Sequence, residues 1–415
     1  MKIVHVEDFV HPDAGYQLNS LAPLQARQGH EVTIVSGELD RMPSYLTDFF
    51  GRDDMPMRDR RFALETGVEI VRIPLLGFYS GRAIFHPSIF RRVTSLKPDV
   101  VFVHGEDTVT GIAFIILSRW LRYPLVLDCH MLEMASLNKY REYFRAFYRR
   151  FVTPVILKEK IPLIRVVDSD FVEKCLNIPL EYTDLLSFGT DTLHFCPNLE
   201  AGVKIRKQHG IDPDAFVILY AGKLDETKGG KLLANAIREP FPELNGRKVE
   251  FLIIGNGSDQ YGHEVEAILE KSANRITRLP TLRFRDLAGY YQAADLAAFP
   301  KQCSMSFFEI QSCGVPILFE DNEINRKRVV SDNAFLFQPD NGDDFRKKMI
   351  ELGSTDPSLF EKYRHDSQNF VLENYDYVPV AQKFTDVLSR AIASWRKKGR
   401  RTYSVDANAI DGASG

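Results

Sequence analysis

The stretch FVILYAGKLDETKGG, residues 216–230, decides how the chain folds. Phe216 to Ala221 run on without alternation, the pattern of a strand covered on both faces. A polar loop follows, with lysines at 223 and 228 and glycines at 229 and 230, and it opens a helix. Strand, short loop and crossover helix are the unit from which parallel sheets are built. Downstream the strand pattern recurs at VEFLIIG (249–255), RITRLP (275–280), DLAAFP (295–300), VPILFED (315–321) and NAFLFQP (333–339). Upstream it begins at KIVHVE (2–7) and continues through EVTIVSG (31–37), VEIVRIP (68–74), DVVFVHG (99–105), PLVLDCH (124–130) and LIRVVDS (163–169). The fold class expected is therefore α/β, two doubly wound Rossmann-like domains facing a cleft.

The polar segment FCPNLEAGVKIRKQHGIDPDAF parts the two series and sets a hinge near residues 196–205. The expected domains are 1–198 and 199–375. A C-terminal helix over 376–395 is expected to pack back towards the first domain, and a tail over 396–415 to be disordered. A chain of 415 residues is long enough for two cores. Its net charge of −3 gives no reason to expect nucleic acid as a partner. Five scattered cysteines without metal-ligand spacing read as reduced thiols. Apolar runs such as GIAFIIL (111–117) fall far short of the ~20 residues that span a bilayer. With no apolar leader at Met1, the expectation is a cytoplasmic protein.

In open parallel sheets ligands bind beyond the carboxyl ends of the strands, so the strand-to-helix loops carry the chemistry. In the first such loop Gly15 stands just before an amphipathic helix (Leu18, Leu21, Leu24). There it either lets backbone amides approach an anion or only eases a turn. A dehydrogenase would want G-x-G-x-x-G at this point, and the chain lacks it. GNGS (255–258) has two glycines of that spacing and no third. In GKLDETKGG, Lys223 ends the strand and Lys228 opens the helix, so two ammonium groups converge on a place suited to a diphosphate. In FPKQCSMSFFEIQSCGVPI a small-polar turn (Ser304, Met305, Ser306) precedes a short helix carrying Glu309. Free amides of that turn can bind phosphate. A carboxylate one turn in can accept bonds from two ribose hydroxyls, or simply complement the helix dipole. DSD (168–170) mimics a metal-binding D-x-D and reads as a cap for the next helix.

These segments, with QARQGHEVTIVSG after the Gly15 loop, the strand ending in His130 and SFGTDTLHF (187–195), resemble the retaining glycosyltransferase family four of the GT-B fold over residues 1–395. The resemblance implies transfer of a sugar from a nucleotide diphosphate sugar, with no metal and no cofactor beyond that co-substrate. It places Gly15 at the donor phosphate and His130 beside the transferred sugar as the catalytic residue. Lys223 and Lys228 would hold the diphosphate, Glu309 the ribose and the backbone around Leu279 the base. The acceptor would be a glycan, a lipid-linked or a small molecule. One departure stands out: family members carry Glu-x7-Glu, and the place of the first glutamate holds Lys301. An ammonium donates and cannot accept, which suits an acidic sugar such as a uronic acid. Alternatively Lys301 faces solvent and Gln302 reads the sugar. A silent fold-mate that binds a nucleotide sugar or a partner, and a nucleotide-sugar epimerase, are the other functions this pattern admits.

KYREYFRAFYRRFVTPVILKEK (139–160) sets Arg141, Arg145 and Arg149 on one helical face and Tyr140, Phe144, Phe147 and Phe151 on another. It is either an ordinary core-facing stripe with a solvated basic face or a peripheral contact with an anionic membrane.

Overall fold

A computed structural model describes residues 1–43, 47, 50–79, 81–130, 140–257, 260–301 and 306–399. The chain forms two compact units, Met1–Phe188 together with Val378 onward, and Gly189–Tyr377.

The first unit holds β1 (Lys2–Glu7), β2 (Glu31–Gly37), β3 (Glu69–Ile73), β4 (Leu75–Tyr79), β5 (Arg82–Phe85), β6 (Val100–His104), β7 (Leu125–Cys129), β8 (Leu163–Arg165) and β9 (Thr183–Leu185). Seven of these form one sheet in the order β3-β2-β1-β6-β7-β8-β9, every pairing parallel. The antiparallel β4–β5 pair was not among the expected strands, nor was β9. LIRVVDS is a strand only as far as Arg165.

The central strands are buried, β6 and β7 along their whole length and β1 over Ile3–Val6, so aliphatic residues dominate them. Three polar side chains interrupt that pattern: His5 in β1, His104 in β6 and Asp128 in β7, all buried. The last helix, Tyr377–Lys397, lays Phe384, Leu388, Ala391 and Trp395 into this unit, with Phe384 6.0 Å from Phe102. It runs past the expected end at 395, and the expected tail from 400 on lies outside the described residues.

The second unit holds β10 (Phe216–Ala221), β11 (Val249–Ile254), β12 (Arg275–Leu279), β13 (Leu296–Phe299), β14 (Ile317–Glu320) and β15 (Ala334–Phe337). Their order, β12-β11-β10-β13-β14-β15, is again fully parallel. The segment read as a hinge is structured and belongs here. Phe195 is fully buried and its carbonyl accepts from the Ser312 hydroxyl. Asn198 caps the helix Leu199–Gln208 by accepting from the Ala201 amide. Gly202 in that helix packs on residue 292, where a Cβ would come within 2.3 Å of the Gln292 carbonyl. The charges that suggested a linker are the outer face of an amphipathic helix, with Pro197 just before its cap and Pro213 beyond its end. The unit boundary lies at 188–189, ten residues before the expected one.

In both sheets the strand order reverses beside the first strand of its series, at β1/β6 and at β10/β13. These switch points leave a crevice beyond the strand ends, where a ligand fits. Among the described residues no helix is long and apolar enough to cross a membrane.

Candidate active site

At the β10/β13 switch point, the loop after β10 is built by its own side chains. Asp225 accepts from the Lys228 amide at 2.9 Å and from the Thr227 hydroxyl at 2.7 Å. Gly229 has φ +72°, left-handed, and starts the helix Gly230–Ala236. Lys223 is exposed, Lys228 half-buried. The Lys223 carbonyl is held by the Tyr220 hydroxyl at 2.6 Å. The two glycines of GNGS have a packing role here. A Cβ on Gly255 would sit 1.9 Å from the Gly222 carbonyl, and Gly257 and Gly262 touch backbone to backbone. They let neighbouring strand-to-helix loops close on each other.

Lys301 follows β13 and lies against this loop, its Cγ 3.0 Å from where a Cβ on Gly229 would be. Its ammonium pairs with Asp340 at 2.5 Å, a bond that raises its pKa. The charge expected to select a uronic acid is thus already offset by a carboxylate of this chain. Gln302, Ser304 and Met305 lie outside the described residues; Ser306 begins the helix Ser306–Ser312. Glu309 in its first turn is 4 % exposed and accepts from the Tyr291 hydroxyl at 3.4 Å. Burial lifts its pKa to about 8, so the carboxyl is mostly protonated at neutral pH. The Leu279 carbonyl accepts from the Gly255 amide at 3.1 Å and from Arg278.

In the first unit Gly15 lies in the loop between β1 and the helix Gln17–Arg27, directly before Tyr16 at its N-cap. Asp13 anchors that loop through Arg58 and Arg61, both at 2.7 Å. Gln17, the helix's first residue, is buried with neither amide atom partnered among the described residues.

His130 follows β7, and its Nε2 meets Asp128 Oδ2 at 3.0 Å. Asp128 is fully buried; burial would raise its pKa, and His104 and His130 instead hold it well below the usual carboxylate range. Burial opposes a charge on His130, but the Asp128 carboxylate outweighs it, with help from Glu7 and Glu106, and lifts the imidazole to about 9. Glu106 is raised to about 8 by burial and Asp107, and Asp8 to about 7 by burial and Glu7.

His104, Asp128 and His130 bring three potential ligand atoms within 4.8 Å of one another. Yet His104 Nδ1 also contacts Asp128 Oδ2, at 2.6 Å. Each nitrogen thus spends its N–H on the carboxylate, and a protonated nitrogen has no lone pair for a metal. Sequence reasoning missed His5, His104 and Asp128. The available signal was a polar residue inside an apolar strand run, which must find a partner when buried.

Two other expectations change. Asp170 stands at the N-cap of Phe171–Leu176 but makes no cap bond; its carboxylate pairs with Lys174 at 2.6 Å. The 139–160 segment is not one helix: Arg141–Phe147 passes through a π-turn, Tyr148–Val152, into Thr153–Glu159. Arg145 is buried and pairs with Glu142 at 2.8 Å, while Tyr148 and Val152 enter the core. The outward stripe is Tyr140, Tyr143, Phe147 and Phe151, beside exposed Arg141, Arg149 and Arg150.

The sequence matches two family models, a glycosyl transferase 4-like domain over residues 14–155 and glycosyl transferases group 1 over residues 215–355. Among curated relatives, a D-inositol 3-phosphate glycosyltransferase of Pseudarthrobacter chlorophenolicus is 28 % identical over 243 residues, covering 55 % of this chain and 56 % of the relative. One of the same description from Segniliparus rotundus is 31 % identical over 144 residues, 32 % of this chain and 31 % of the relative. The chain thus matches about half the length of the first of these relatives, or less. Among solved structures, a glycosyltransferase from Rickettsia africae superposes with a TM-score of 0.71 at 13 % identity, covering 94 % of this chain and 98 % of that one. Anabaena HepE, solved with UDP and glucose, gives 0.68 at 16 % identity, covering 94 % and 100 %. Two parallel-sheet, Rossmann-like units of this kind are the GT-B architecture. The chain belongs to the group 1 glycosyl transferases.

Proposed function

We propose that the chain is a retaining glycosyltransferase that moves a sugar from a nucleoside diphosphate sugar to a hydroxyl of a glycan, lipid-linked or small-molecule acceptor. The observation that carries this reading is the lysine loop at the β10/β13 switch point, where Lys223 and Lys228 flank a tight, glycine-capped turn. As the sugar–phosphate bond breaks, negative charge grows on the leaving diphosphate. Two ammonium groups placed there stabilise that charge more in the transition state than in the ground state. A β-phosphate oxygen takes the acceptor's proton, so no separate base is required. Glu309, as a neutral carboxyl with Tyr291, is assigned the ribose. Gly15 and His130 on the first unit are assigned the donor phosphate and the transferred sugar. The likeness to a protein solved with UDP and glucose makes uridine diphosphate the first nucleotide to try.

The test is a thermal-shift screen with uridine, guanosine and adenosine diphosphates, followed by release of the diphosphate from the matching sugar. Binding to the folded state raises the Tm. Lys228→Ala should weaken the bound diphosphate by about 1–3 kcal/mol, the worth of a charge-assisted bond. A folded Lys228→Ala protein of unchanged affinity would remove the loop from the site.

We infer also that the first unit meets an anionic lipid surface. Tyr140, Tyr143, Phe147 and Phe151 are 42–79 % exposed on one side of the broken helix, next to three exposed arginines. Aromatic side chains with cationic neighbours suit the headgroup layer of the cytoplasmic leaflet, which is negatively charged.

A further inference from the structure

Behind His130 lies a line of bonded side chains. His130 Nε2 and His104 Nδ1 share Asp128 Oδ2, at 3.0 and 2.6 Å. Asp128 Oδ1 accepts from the Gly105 amide at 2.8 Å, so both carboxylate oxygens are engaged. His104 Nε2 lies 3.0 Å from His5 Nδ1, and their rings are stacked 5.2 Å apart. His5 Nε2 reaches Gln25 Oε1 at 2.7 Å. Gln25 donates to the Thr385 hydroxyl at 3.5 Å, and Thr385 donates to Gln28 Oε1 at 3.0 Å.

The direction of bonding follows from the two ends. An ionised carboxylate only accepts, so His104 donates from Nδ1. At the far end Gln25 presents its carbonyl oxygen, so His5 donates from Nε2. Burial drives the His5 pKa down to about 3, so His5 is neutral and its Nδ1 must accept. The Asp128 carboxylate thus lies between two imidazole donors, His104 Nδ1 and His130 Nε2.

We propose that Asp128 and His104, with His5 behind them, are positioning residues that fix the ring of His130 where it meets the substrate. The assignment of a substrate to His130 rests on the function proposed above; the line of bonds does not. The charged or titratable groups facing His130 are Asp128, Glu7 and Glu106, with the Phe188 ring 5.5 Å away. Those facing His104 are Asp128, His5 and Glu7. No bond need break in this arrangement. It presents an imidazole N–H of fixed direction, able to donate to a sugar oxygen or to an anion.

The test is side-chain ¹H–¹⁵N NMR titration of His130 in the full chain, which needs neither donor nor acceptor. The wild type should titrate well above an ordinary histidine. Asp128→Asn should lower that titration by about two units or more, because the main charge that holds the proton is then gone. His104→Phe should move it the other way, upward by roughly half a unit, because the carboxylate no longer shares its charge with a second donor. His104→Asn keeps an N–H towards Asp128 and should restore the wild-type titration. Should His104→Phe fail to fold, the Asp128→Asn and His104→Asn pair decides.

Loss of packing alone would not give opposite signs in two variants, nor rescue in a third. A wild-type His130 titrating near 6.5, or one unmoved by Asp128→Asn, overturns the inference. If the titrations behave as stated and no diphosphate sugar is turned over, the proposed function fails and the positioning line stands.

Discussion

Glu309 shows how far a single residue can be read from the chain alone. Its place one turn into a helix after a small-polar loop was legible, because capping and helix entry are local. Its burial against Tyr291 was not, since that depends on an element eighteen residues earlier in sequence. With a folded pKa near 8 and an unfolded one near 4.5, the native state holds a proton that the unfolded chain gives up. Stability contributed at this residue is intact below pH 4.5 and drains away as pH rises towards 8, by up to about 1.4 kcal/mol per unit. Glu309→Gln should flatten that dependence. Urea midpoints from pH 5 to 8 should fall less in the variant than in the wild type, and parallel curves would show that the carboxyl is ionised in the fold. The same variant should discriminate less between ribo- and 2′-deoxynucleotides. Gly255 makes a second, purely steric case: φ is +132° and the Gly222 carbonyl occupies the space of a Cβ. Gly255→Ala should cost on the order of 3 kcal/mol or more in urea denaturation.

At the scale of elements, period and composition placed all of the main-sheet strands but β9, which is only three residues long. The β4–β5 pair escaped because LLGFY has no charge alternation and its partner is four residues long. The broken helix Arg141–Glu159 was misread for a different reason. A π-turn at Tyr148–Val152 adds residues to one turn and shifts which side chains face inward. Arg145 and Tyr143 precede that turn, in the regular helix Arg141–Phe147, and there polarity misled: Arg145 is buried and Tyr143 exposed. The surviving outward face makes a sharp expectation. Replacing Arg141, Arg149 and Arg150 by glutamate should cut binding to anionic vesicles by at least roughly 100-fold, at about 1 kcal/mol for each arginine lost and more for the repulsion added. Wild-type binding should fade as salt is added. Co-sedimentation with anionic and neutral vesicles measures both, and a wild type indifferent to anionic vesicles at low salt leaves the stripe without this partner.

Across the whole molecule, the two-unit plan was visible because the strand series restarts at Phe216. The place where one unit hands over to the next was not, because polar composition marks a surface helix as readily as a linker. The last helix matters most here. Phe384 is fully buried and meets Phe102 in the first unit. Phe384→Ala should destabilise by about 3–5 kcal/mol, read from chemical denaturation, as for any large core aromatic cut to alanine. A loss below about 1 kcal/mol would show that the helix is only draped on the sheet. Because the chain leaves the first unit at Phe188 and returns at Val378, the second unit is an insertion within the first. Synthesis usually lets the N-terminal domain fold first. In this chain the ribosome completes residues 189–377 while the sheet made earlier still lacks its closing helix. The nascent first unit must therefore stay soluble with the Phe102 side of its sheet uncovered until residues 378–397 have been made.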